Sequence, residues 1–162
     1  MPETIAYRRI LALVELGSQD ASWNARLVRR AAALARASGA QLGLLQVVDV
    51  ETGLDGGPGL TPGQEARAYE AALLPRLRVL AQATGLAGVT CHVRMGRPAT
   101  AVRSFTDDWA PDLVITPRRG GWEDAGPWDV LTLGHDAPSW RQRLQRWLKS
   151  DRLPDLPLAN PA

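Results

Sequence analysis

The chain has 162 residues, 45% of them hydrophobic and 22% charged, with a formal net charge of +2. That is about one domain's worth of chain, long enough to enclose a core, with the composition of an ordinary globular protein. Its lone cysteine, Cys91, excludes an intrachain disulfide and a cysteine metal cluster, and the mixing of acidic with basic residues argues against a nucleic-acid surface.

Lys149 is the only lysine, so nearly every cation is a guanidinium, the group that pairs best with phosphate and carboxylate in two-pronged geometry. The opening MPETIAYRRI lacks a long apolar core, and the apolar run after it breaks at Glu15. Neither a signal peptide nor a membrane span is expected, and the expected location is cytoplasmic.

Residues 10–14, ILALV, form a short unbroken apolar run, as in a strand covered on both faces. Residues 17–20 are turn chemistry, with Ser18 or Asp20 available to cap the helix that follows. That helix places Trp23, Leu27, Ala31, Leu34 and Ala35 on one side and ends at Gly39. A second strand lies in residues 41–50. Residues 51–63, rich in glycine and proline, read as a loop. Thr61-Pro62-Gly63-Gln64 matches a capping box with proline at the first helical position. The helix it opens runs to about Gly85, and Pro75 should kink or break it. Residues 89–95 alternate as a strand, with His92 expected on the polar face. Gly96-Arg97-Pro98 turns into a helix bearing Val102, Phe105 and Trp109, and residues 112–115 form a fourth strand. Residues 117–135 read as a second long loop. Asp136 is suited to cap a last helix with Trp140, Leu144 and Trp147. The tail 151–162 carries three prolines, which allow no more than a short edge strand near 156–159.

The expectation is thus an α/β fold: a single doubly wound domain spanning 1–162, with a mainly parallel sheet of four or five strands and helices on both faces. In such sheets ligands sit beyond the carboxyl ends of the strands, here Glu15, Val48, Gly96 and Thr116.

The stretches RRILALVELGSQDAS, LGLLQVVDV, MGRPATAV and APDLVITPRRG, in that order, resemble the universal stress protein family. The resemblance covers residues 7 to 120 and weakens beyond. It implies a five-stranded parallel sheet and a homodimer, often formed through the last strand. It also implies a role in stress survival or signalling with little or no catalysis, at most weak ATP hydrolysis. Some members hold ATP through an acidic residue after the first strand and a glycine-rich loop after the fourth.

That loop reads glycine, two residues, glycine, nine residues, then glycine with serine or threonine. Small residues let backbone N–H groups reach phosphate oxygens, and a helix N-terminus adds positive potential. In this chain the first glycine falls on Pro117, which has no N–H to give. Gly120 keeps the second. Gly134 can serve as the third, after thirteen intervening residues, but the hydroxyl residue is replaced by His135 and followed by Asp136. The inserted Glu123, Asp124 and Asp129 should repel a triphosphate, whereas Arg118 and Arg119 should attract one. Glu15 stands at the acidic position and Val48 at the adenine side.

The tentative nucleotide site is therefore Glu15, Val48, Arg118, Arg119, Gly120, Gly134 and His135. The first reading is a degenerate loop, no cofactor, and function through an unidentified protein partner. The second is an ATP or AMP sensor whose enlarged loop closes over the nucleotide. Trp122 and Trp128 either fold the insertion back over the crevice or present a contact surface. No catalytic residue and no metal site is assigned: the two histidines lack ligand spacing, and no Gly-x-Ser-x-Gly elbow is present.

Overall fold

The computed structural model describes residues 6–16, 21–49 and 59–133. Five strands, β1 (Arg9–Val14), β2 (Gln41–Val48), β3 (Thr90–Met95), β4 (Leu113–Thr116) and β5 (Asp129–Thr132), alternate with three helices, α1 (Ala21–Ser38), α2 (Pro62–Ala83) and α3 (Pro98–Trp109). All pairings are parallel, in the order β3-β2-β1-β4-β5. The chain builds outward from β1 to β3, then returns to the other side of β1 for β4. The direction of winding therefore reverses between β1 and β4, which opens a crevice at their carboxyl ends.

Alternation along the strands divides the core into two layers. Ile10, Ala12 and Val14 of β1, with Leu42, Leu44, Leu113 and Ile115, pack against Leu27, Ala31 and Ala35 of α1 and Leu77 of α2. Leu11, Leu45 and Val114 face the other way, onto Val102 and Phe105 of α3 and onto Trp122 and Trp128. Gly43 lies on this second face because a Cβ there would come within 2.9 Å of the Trp109 ring. Helix α1 buries Val28 and Ala32 beside Leu27, Ala31 and Ala35, while Leu34, expected inward, is 36% exposed. The arginines at 29, 30 and 36 take the outer side, as an amphipathic helix requires.

At the start of α2 the Thr61 hydroxyl accepts from the Gln64 N–H, and the Gln64 side chain accepts from the Thr61 N–H, so the expected capping box is formed. Pro75 lies inside α2 without breaking it. Helix α3 stops where Ala110 turns left-handed, at φ 50°.

Two expectations are corrected. The stretch 117–135 is not one loop: residues 129–132 within it pair with β4 as the fifth strand. The pairing extends past the strand ends, with Asp129 N–H donating to the Asp112 carbonyl and Leu133 N–H to that of Thr116, both at 2.9 Å. His92 is only partly exposed. Its ring meets Phe105 at 4.8 Å between centroids, and its Nε2 is buried with no partner among the described residues. Of the two alternatives for Trp122 and Trp128, burial holds and the contact surface does not, the two being 3% and 8% exposed. The proposed cap of α1 at Ser18 or Asp20, the last helix from Asp136 and the tail strand near 156–159 lie outside the described residues.

Parallel neighbours need a crossover of about a dozen residues, usually helical. Between β4 and β5 the connection has no helix. The two tryptophans supply the apolar cover that a helix would give this part of the sheet. Each is seated against a glycine: a Cβ at Gly120 would collide with the indole of Trp122, and one at Gly126 with that of Trp128.

Candidate functional site

The crevice between β1 and β4 has a volume of about 1130 Å³. Its floor and walls include Leu13, Val47, Val48 and Val102, with Trp122 on the β4 side and Tyr69 of α2 opposite. Five of the seven residues expected at a nucleotide site line it: Glu15, Val48, Arg118, Arg119 and Gly120. Gly134 and His135 lie outside the described residues.

Glu15 follows β1 directly, and its backbone is held from several sides. Its N–H donates to Asn24 Oδ1 at 3.1 Å, while Asn24 Nδ2 donates back to its carbonyl at 2.8 Å. The next N–H, of Leu16, donates to Gln46 Oε1 at 2.7 Å, and Arg76 Nη2 donates to the Leu16 carbonyl at 3.1 Å. Asn24 is 4% exposed and Gln46 8%. Buried amides of this kind must be bonded, so the two fix where the Glu15 carboxylate starts from. The sequence reading missed both. Their only sequence signal is a polar residue placed on an otherwise apolar helix side or strand.

On the opposite bank, Thr116-Pro117-Arg118 forms a tight turn. The buried Thr116 hydroxyl donates to the Arg118 carbonyl at 2.6 Å. Pro117 is itself buried and forms part of the crevice lining. The turn points Arg118 across the gap, where Nε and Nη2 donate to Glu15 Oε1 and Oε2 at 2.6 and 2.7 Å. The residue chosen for the nucleoside and the one chosen for the phosphates thus bind each other in two-pronged geometry. The hydrogen bond that Arg118 donates to Glu15, then the carboxylate's charge, raise the Arg118 pKa above the ordinary guanidinium value, against the opposing effect of burial.

The strength of this link is modest. The Arg118 side chain is 74% exposed and that of Glu15 33%. Pairs this open to water contribute at most about 1 kcal/mol. A ligand that had to break it would lose roughly fivefold in affinity. Arg119 is exposed beside it.

Of the three carboxylates expected to repel phosphate, none lines the crevice. Asp129 begins β5 at the opposite end of the sheet and accepts from the Tyr7 hydroxyl at 3.0 Å. Glu123 is turned back on its own loop, where its carboxylate accepts from Gly120 N–H at 2.6 Å. Arg97, at the turn into α3 after Gly96 (φ 139°), also lines the crevice and was not foreseen.

Among the described residues no group of three or more His, Cys, Asp or Glu is placed to hold a metal ion, and no helix is long and apolar enough to cross a membrane.

The universal stress protein family model matches residues 6–127. No curated protein matches the chain. Similar solved structures include a universal stress protein family member from Burkholderia pseudomallei, 20% identical with a TM-score of 0.57, covering 80% of this chain and 98% of that one. A universal stress protein in complex with cAMP is 18% identical with a TM-score of 0.56, over 79% of this chain and 97% of that one. The Archaeoglobus fulgidus universal stress protein in complex with dAMP is 20% identical, TM-score 0.52, over 79% and 98%.

Proposed function

The chain belongs to the universal stress protein family, and we propose that it is a member whose phosphate-binding end has degenerated, acting in stress response or signalling through contacts with another protein. It works as a binding domain and not as an enzyme, in the cytoplasm and as a homodimer. The observation that carries this reading is the Glu15–Arg118 pair across the crevice mouth. An acid and a cation that satisfy each other present little net charge to a polyphosphate. Pro117, standing where the family has glycine, removes one backbone donor besides.

Isothermal titration with Mg-ATP, ADP and AMP tests the proposal. Binding weaker than about 100 μM, or none, is expected for ATP. Low-micromolar affinity would overturn the degenerate-loop reading.

One observation favours a second reading, that of an adenine nucleotide sensor. The crevice stays open, and its walls of Leu13, Val47, Val48 and Val102 suit a flat apolar base. Similar chains hold cAMP and dAMP in their crystals, ligands with a single phosphate. Under this reading AMP binds better than ATP, and replacing Arg118 and Arg119 together with alanine lowers that affinity at least tenfold. Unchanged affinity in the double variant would end it.

A further inference from the structure

The loop after β4 is built as a receptor for an anion, and it already contains one. Gly121 takes a φ of +75°, in the left-handed region that L side chains rarely adopt. Setting one such residue among ordinary ones turns successive backbone N–H groups toward a common point, the arrangement that binds anions in phosphate loops. Gly120 N–H donates to Glu123 Oε1 at 2.6 Å. Burial pushes the Glu123 carboxyl up, but the N–H groups of Glu123 itself, Gly120, Gly121 and Trp122 together outweigh it and hold the group below the ordinary carboxylate range.

What fixes the loop is a separate matter from what fills it. Trp122 is 3% exposed in the core layer with Leu11 and Val114, and its indole lies flush against Gly120. The Gly120 N–H is therefore held in place by core packing, and the Glu123 carboxylate is its occupant. Arg119, Gly120 and Trp122 all line the crevice, so the loop that carries the donor is part of its wall. Arg118, two residues before Gly120, is engaged with Glu15.

We infer that Glu123 is a built-in substitute for phosphate: its carboxylate occupies the backbone donors that a phosphoryl group would use, and an incoming phosphate must displace it. This rests on reading the crevice as a nucleotide site by descent. The device is an intramolecular competitor, and removing it reopens the receptor to phosphate.

The test uses the full chain and amide NMR. In the wild type without ligand, the Gly120 amide proton and the Glu123 side-chain carboxyl carbon should follow one shared inflection as pH falls, below the ordinary glutamate value of about 4.3. A Gly120 amide that stays flat through the Glu123 titration overturns the inference, whatever any variant does. Inorganic phosphate and AMP are then titrated into wild type, Glu123→Gln and Glu123→Ala. Glu123→Ala should bind at least tenfold more tightly than wild type, read at the Gly120 and Gly121 amides, with Glu123→Gln in between. Affinity within twofold of wild type overturns the inference. Equal gains for both probes identify free phosphate as the natural class, and a larger gain for AMP identifies a nucleotide; both support the competitor. Tight ATP binding by wild type with the shared inflection intact would sink the proposed function and leave the carboxylate in its seat. A flat Gly120 amide with no ATP binding would do the reverse.

Discussion

His92 shows how much a single side chain's surroundings matter. Burial against Phe105 lowers its pKa, and the nearby Arg94 guanidinium lowers it further. The folded state therefore favours the neutral ring, while the unfolded chain takes up a proton near pH 6.5. Stability is complete above that value and falls as pH drops from there toward the lower folded pKa. Urea midpoints compared at pH 7.5 and 5.5 should drop in the wild type and hardly change in His92→Phe, which keeps a ring on Phe105. An equal drop in both would show that His92 is not the titrating group. The sequence places His92 on a strand, but two-residue alternation does not say which face is dry until α3 is docked. The same limit applies to Glu15 and Arg118. Each was legible as a crevice residue from its position after a strand, yet their pairing joins positions 103 apart and has no local signature. Pro117 and Gly120 were legible because the family loop has a fixed spacing from β4. Asn24 and Gln46 were not, since one polar residue on an apolar element looks like ordinary variation.

The elements themselves were mostly written in the chain. Unbroken apolar runs gave β1, β2 and β4, alternation gave β3, and turn residues followed by helical spacing gave all three helices. β5 escaped because Asp129-Val130-Leu131-Thr132 is four residues long and sits among glycines, prolines and tryptophans that signal turns. Only pairing to β4 makes it a strand. Its connection depends on two indoles in place of a helix, so truncating either should behave as a core mutation. Trp122→Ala and Trp128→Ala should each cost about 3–5 kcal/mol in urea unfolding. Trp128→Phe should cost much less than Trp128→Ala, because the Trp128 N–H is buried with no partner among the described residues and its loss forfeits no bond. Alanine variants within 1 kcal/mol of wild type would mean that the 117–128 connection is not part of the core.

Taken as a whole, the molecule has two core layers that share every central strand, so neither has a sheet of its own to keep if the other melts. One cooperative transition is expected. Cys91 lies against the layer under α1 and α2, and burial pushes its thiol pKa up despite the charge of Arg78, so labelling in the folded protein should be slow. Thiol labelling reports on that layer, and Trp109, Trp122 and Trp128 place fluorescent reporters in the other. Their urea midpoints should coincide within error. Separated midpoints would show that the layers unfold independently. The strand order has a further consequence for how the chain is made. β1 pairs with β2 after some thirty residues, but its other edge waits for β4, with Ile10 opposite Leu113. During synthesis the most central strand therefore keeps one open edge until about a hundred residues more have left the ribosome. Contacts this distant close late, and an unpaired apolar strand invites aggregation meanwhile. The seam that forms the crevice is for this reason sewn late, and nascent chains that stall before residue 113 should be the ones that need a chaperone.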